Sequence, residues 1–235
     1  MNPTKKAAAL FSVAPLLLFL DVWLIADNIR SGETVSTECI RLAKRRCVVV
    51  ENNRYTARKS ILGVLADLES YRGTGVIIQK NLVLTNTHML RSDSEILIDG
   101  KVATVVRKSD EHDLALLAVE TEKLPKITID ELENAGERVF YVSNPGQRED
   151  VVIHGMIVEI DDQFIYTDGF EDIETSMGAS GSGLYSKQGH LIGLKKGMLS
   201  EESDPRGLSV SIPATRIKKF LRELIVEDFS QGYRR

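Results

Sequence analysis

Met177-Gly178-Ala179-Ser180-Gly181-Ser182-Gly183-Leu184 sets a serine between glycines at the head of an apolar run. Acyl transfer asks for such a place. A tight turn presents the hydroxyl, and uncrowded backbone N–H groups face the oxygen that becomes negative. A Gly/Ser-rich turn without chemistry has the same composition, so the surroundings must decide. Upstream, Leu82-Val83-Leu84-Thr85-Asn86-Thr87-His88 puts a histidine just past an apolar strand, where imidazole acts as base toward the serine and then as acid toward the leaving group. Between them, His112-Asp113-Leu114-Ala115-Leu116-Leu117 puts a carboxylate before a strongly apolar strand, suited to fix a histidine tautomer and stabilise its cation.

Taken singly, each reads more readily as a structural histidine, a turn aspartate or a turn serine. Together they occur in the order His, Asp, Ser. The α/β-hydrolase arrangement runs Ser, Asp, His and the subtilisin arrangement Asp, His, Ser, so this order selects the chymotrypsin type. His112, His154 and His190 are rival bases, but none stands at the end of an apolar strand as His88 does.

The wider pattern agrees with an all-β chain. Short apolar runs bounded by turn residues predict strands at Cys47-Val50, Gly75-Gln79, Leu82-Thr85, Glu95-Ile98, Val102-Arg107, Leu114-Val119, Arg138-Val142, Val151-Ile160, Phe164-Thr167, Gly183-Tyr185, His190-Leu194 and Leu208-Ile212. Asp99-Gly100 and Gln188-Gly189 supply hairpin turns. A dozen such strands imply barrels or a sandwich. Ile217, Phe220, Leu221, Leu224 and Ile225 recur at helical spacing after Pro213, and a weaker helical pattern covers Thr37-Arg46.

From Arg45 to Phe220 the chain resembles the trypsin-like serine peptidases, and within them the HtrA-type branch without its PDZ domains. The likeness rests on Gly73 to His88, Asp113-Leu114-Ala115-Leu116-Leu117, Gly136 to Gly146, Gly178 to Leu184, Gly189 to Gly193 and Gly207 to Pro213. It implies two antiparallel six-stranded β-barrels (chymotrypsin-like) with a C-terminal helix, and a catalytic triad of His88, Asp113 and Ser180 in the crevice between them. It further implies an oxyanion hole from the N–H groups of Gly178 and Ser180, hydrolysis of peptide bonds through an acyl-enzyme, and no metal or organic cofactor. Ser182 and Gly183 depart from the usual glycine and proline. Too few residues follow Pro213 for a PDZ domain. The strand after the nucleophile, Gly193-Leu194-Lys195-Lys196-Gly197-Met198, is where side-chain selectivity arises; Lys195 or Lys196 there would favour an acidic substrate residue unless it faces outward. The competing functional reading is a catalytically inactive trypsin-like fold acting as a protein-binding module.

The 235 residues and net charge of −4 fit a mildly acidic globular chain and argue against nucleic acid as main partner. The basic cluster Arg41, Lys44, Arg45 and Arg46 reads as solvated surface. Cys39 and Cys47 are too few for a disulfide scaffold, and their spacing does not resemble a paired metal-ligand motif; in an oxidising compartment they are near enough in sequence to form a single disulfide. At the N-terminus, Lys5 and Lys6 precede an apolar run from Ala7 to Ala26 that is interrupted only by Asp21. A charge there costs about 2.5–3.5 kcal/mol on insertion, roughly what the surrounding apolar residues recover. Signal-anchor, cleaved signal peptide and packed helix all stay open, with the peptidase domain expected outside the cytoplasm and the N-terminal segment in the membrane. The expected organisation is residues 1–30 as anchor or signal peptide, 31–59 as linker and first strand, 60–226 as peptidase domain and 227–235 as tail. Within the peptidase domain the first barrel runs to about 125 and the second starts from about 135.

Overall fold

Apolar residues alternating with polar ones from Cys47 onward build a mostly antiparallel β fold, seen in a computed structural model that describes residues 35–60, 63–90, 94–131, 134–146, 148–169, 177–199, 204 and 207–232. The described residues fall in one compact unit, which begins at Val35. Its elements run α1 (Thr37–Arg46), β1 (Cys47–Ser60), β2 (Gly63–Gln79), β3 (Leu82–Thr85), a 3-10 turn (Thr87–Met89), β4 (Glu95–Ile98), β5 (Lys101–Val102), β6 (Thr104–Ser109) and β7 (Leu114–Ala118). The second half follows as β8 (Arg138–Ser143), β9 (Val151–Ile160), β10 (Ile165–Thr167), β11 (Gly183–Ser186), β12 (Leu191–Met198), β13 (Ser209–Pro213) and α2 (Ala214–Gly232).

The second half is a closed six-stranded barrel in the order β10-β13-β12-β11-β8-β9. The first half departs from the expected six-stranded barrel: it is a seven-stranded sheet, β5-β4-β1-β2-β3-β7-β6. The reason lies at Ala103. It separates β5 from β6 and donates its N–H to Ile96 O at 3.0 Å or less, specifically 2.9 Å, so one expected strand becomes two short ones. These form the opposite edges of the sheet, which are thus joined through the chain itself.

Strand alternation divides the apolar side chains among three cores. Val48, Val50, Ile77, Val83, Ile98 and Leu117 fill the first half, and Val139, Tyr141, Ile157, Ile165, Leu184 and Ile192 fill the barrel. The opposite faces of β2, β3 and β7 (Val76, Leu84, Leu114, Leu116) meet Phe140, Val142, Tyr185 and Leu194 of the barrel, with Ile217 and Phe220 of α2 closing this shared core. Each such large side chain contributes about 1.5–3 kcal/mol on burial.

One surface reading is corrected, that of Arg46. Arg46 is buried and donates to the carbonyls of Ile77 and Pro125, because it ends α1 against β2; Arg41 and Arg45 do pair at the surface, with Glu38 and Glu122. Cys39 and Cys47 are free thiols. Cys39 lies in the first turn of α1, whose cap Ser36 accepts its N–H, and Cys47 follows the last. Eight helical rises of about 1.5 Å keep them about 12 Å apart, beyond disulfide reach. No helix among the described residues is long and apolar enough to cross a membrane; the apolar run from Ala7 to Ala26 lies outside them.

Candidate active site

His88 stands on the 3-10 turn after β3, and Asp113 on the turn between β6 and β7, which pairs with β3. The ladder therefore brings both to one sheet end. His88 Nδ1 lies 2.9 Å from Asp113 Oδ2 and 3.1 Å from Oδ1, and the His88 backbone N–H donates to Oδ1 at 3.0 Å. Asp113 holds a left-handed backbone, φ 53°, a conformation aspartate tolerates better than most residues. Asn86 fixes that turn by donating Nδ2–H to Asp113 O at 3.1 Å, while Thr87 Oγ1 donates to Leu114 O at 2.8 Å. Burial alone would raise the Asp113 carboxyl, but the bonds from the His88 ring and N–H, with the charges of His88 and Lys196, outweigh it and hold it below its ordinary range.

Ser180 lies on the glycine turn ahead of β11. Gly178 and Gly181 adopt φ of 84° and 86°, which favours glycine, and a Cβ on Gly181 would collide with the Thr74 carbonyl. The turn is tied down from several sides. Thr74 N–H donates to Ser180 O at 2.8 Å and Thr74 Oγ1 to Gly178 O at 2.9 Å. Gly181 N–H donates to Lys195 O at 2.9 Å. The unusual Ser182 is buried and donates to Ala179 O at 2.6 Å, with Ser143 Oγ 2.8 Å away, so its hydroxyl braces the turn from inside. Ala179 is buried in the barrel core. Among the described residues, no protein acceptor is bonded to the N–H of Gly178 or Ser180.

The serine hydroxyl points to Lys196 O, 3.2 Å away. The side chain of the same Lys196 reaches the carboxylate: its Nζ is 3.8 Å from Asp113 Oδ2. His88, Asp110, Asp113, Phe164, Lys196, Gly197, Met198 and Val210 line one cavity of about 500 Å³. Lys195 faces the other way, fully buried, with Nζ bonded to Ser209 Oγ at 2.9 Å and Gly197 O at 3.1 Å; burial lowers it to about 7. The remaining histidines lie elsewhere: His112 against Arg216, His190 against Asp130 and His154 near the Phe140 ring. The sequence reading missed Thr74, Asn86 and Thr87 as site supports. Their one signal was position: Thr74 stands between two glycines, Thr87 directly before His88 and Asn86 two residues before it.

A β fold of two such halves, with a histidine–aspartate pair on one and a serine in a glycine turn on the other, defines a class of peptidase domains. Residues 73–194 match the family model described as "Trypsin-like peptidase domain", and the chain belongs to that family. Among curated proteins it is similar to the probable periplasmic serine endoprotease DegP-like of Chlamydia trachomatis, 29% identical over 171 residues that make up 67% of this chain and 34% of that one. It is likewise similar to the periplasmic serine endoprotease DegP of Salmonella typhimurium, 26% identical over 168 residues, 65% of this chain and 35% of the relative. The chain thus spans about a third of the length of these relatives. Among solved structures the HtrA-type protease AlgW with a decapeptide superposes with a TM-score of 0.65 at 21% identity, covering 80% of this chain and 66% of that one, a likeness of fold.

Proposed function

We propose that the chain is a serine endopeptidase acting through Ser180, His88 and Asp113 and an acyl-enzyme. The observation that carries this reading is the convergence on Lys196, whose carbonyl meets Ser180 Oγ while its ammonium meets the carboxylate bonded to His88. In the reaction Ser180 Oγ attacks the peptide carbonyl and passes its proton to His88 Nε2, while Asp113 holds the Nδ1–H and stabilises the imidazolium. The N–H groups of Gly178 and Ser180 take the oxyanion, with Ala179 contributing shape only. The imidazolium then protonates the leaving amine, and water frees the acyl group by the same steps. The curated relatives named serine endoproteases support the same activity.

Lys196, lining the cavity, is the substrate-facing member of the lysine pair and would favour a carboxylate there; Lys195 is turned inward to Gly197 O and Ser209 Oγ. Hydrolysis of peptides differing at one residue tests this, and a preference for small aliphatic residues would sink it. The working place is outside the cytoplasm, with residues 1–30 as anchor or signal peptide, in keeping with relatives named periplasmic. The mass of the mature protein in membrane and soluble fractions checks this.

One observation favours the binding-module reading instead: Ser180 donates to a backbone carbonyl. A fluorophosphonate probe separates the two. Label that appears on the native protein and vanishes in Ser180→Ala supports the peptidase, whereas a folded native protein that takes no label supports the module.

A further inference from the structure

Lys195 and Lys196 are neighbours on β12, and strand alternation sends them to opposite sides. Lys196 falls on the side of the crevice, its side chain 42% exposed. Its Nζ sits 5.4 Å above the centre of the Phe164 ring, with Asp113 Oδ2 3.8 Å away. Phe164 is itself held: the Arg216 guanidinium lies 5.7 Å from the ring and donates to Glu111 O at 3.0 Å and Gln163 O at 3.2 Å. The ring is therefore a fixed platform, and an ammonium lying over an aromatic face is attracted to it. The platform and the carboxylate together give the long lysine side chain one preferred place.

Asp113 consequently faces two partners, the His88 ring and the Lys196 ammonium. We propose that Lys196 is a positioning residue for the Ser180 reaction, holding the Asp113 carboxylate behind His88 and opposing a second positive charge on the imidazole. This rests on the peptidase reading of the site. The groups facing His88 are Asp113 and Asp110 from the turn between β6 and β7 and Lys196 from β12; from α2, Arg216 is turned to Phe164, the Glu111 carbonyl and His112. Both carboxylates favour the protonated ring. Among the described residues lining the cavity, Lys196 is the cation that opposes them.

The sign follows from charge. Removing a cation beside a histidine–carboxylate pair makes the ring easier to protonate, so the acid limb of the pH–rate profile moves to higher pH. The test uses the full chain and compares native protein with Lys196→Met and Lys196→Arg. The rate of fluorophosphonate labelling is measured from acid to neutral pH, alongside the midpoint of the His88 ring carbon resonances. In Lys196→Met both midpoints are expected to rise by about half a pH unit, roughly a threefold slower labelling below the limb. Lys196→Arg keeps the charge and is expected to stay within about 0.2 units of native. About 1 M salt is expected to shrink the gap between native and Lys196→Met, since part of this pair is exposed to solvent. Labelled native protein with both midpoints unmoved in Lys196→Met overturns the proposal and leaves the peptidase reading standing. Native protein that takes no label at any pH, while the His88 midpoint still rises in Lys196→Met, removes the peptidase reading and keeps the charge arrangement.

Discussion

In the first half of the molecule His88 and Asp113 are already in contact at 2.9 Å, whereas in the second Ser180 turns its hydroxyl to the Lys196 carbonyl at 3.2 Å. The first pair is set by one ladder. β3 and β7 lie side by side, and the residues just beyond Thr85 and just before Leu114 meet at their common end. The serine turn has no ladder of its own. It takes its shape from left-handed glycines and from bonds offered by β2, β12 and the end of β8. The His88–Asp113 contact is thus a property of sheet register, and the placing of Ser180 a property of a pinned loop.

Substitutions can break that division. Asp113→Asn attacks the ladder-built side directly: the amide cannot hold the required tautomer, and kcat is expected to fall by about 10⁴-fold with the serine turn unchanged, read from peptide hydrolysis at pH 7–8. Gly181→Ala attacks the other side. Its Cβ meets the Thr74 carbonyl at a positive φ, so a loss of about 2–4 kcal/mol in denaturant unfolding is expected. Probe labelling should be lost while the His88 resonances still report contact with Asp113. Thr74→Val keeps the shape and removes the hydroxyl, leaving Gly178 O and Asn144 N–H without their bond, at about 1–3 kcal/mol of stability and with slower labelling. Equal damage to the His88 resonances would erase the distinction between the halves.

The smallest effect concerns the barrel interior alone. Lys195 is lowered from its ordinary 10.5 to about 7 by burial. Between these values the unfolded chain binds a proton that the folded chain does not, so stability rises with pH across that window; below pH 7 the full penalty of the buried charge is present. Lys195→Met is therefore expected to stabilise by about 1–2 kcal/mol at pH 6, a gain that shrinks toward pH 10, as followed by urea unfolding. A gain independent of pH would mean that packing, rather than charge, is the cause.

What the sequence made legible follows the same division. Leu82–Thr85, Glu95–Ile98 and Val151–Ile160 stand where apolar alternation and turn residues put them, to the residue. Between Cys47–Val50 and Gly75–Gln79 the sequence carries no strand signal, yet β1 runs on to Ser60 and β2 starts at Gly63. The polar and charged residues of this stretch have no clear period, and the register Glu51↔Arg72 to Ser60↔Gly63 is carried by backbone pairing. The split at Ala103 was hidden because an apolar residue there looks like strand continuation. At the candidate site, His88, Asp113 and Ser180 are singled out in the sequence by their order. Thr74 and Asn86 are ordinary polar residues, whose importance comes only from what the fold brings to them. The orientation of Lys195 against Lys196 depends on strand register, which the pair alone does not reveal.

Every polar group of buried Thr74 is occupied. Its N–H goes to Ser180 O, its carbonyl receives Thr85 Oγ1, and its hydroxyl joins Gly178 O to the Asn144 N–H. Drawing the halves apart would strand several of these donors and acceptors at once, away from any replacement. The two sheets are therefore expected to melt as one cooperative unit, with a calorimetric enthalpy equal to the van't Hoff value. Through one threonine, the turn that carries Ser180 inherits the stability of the whole.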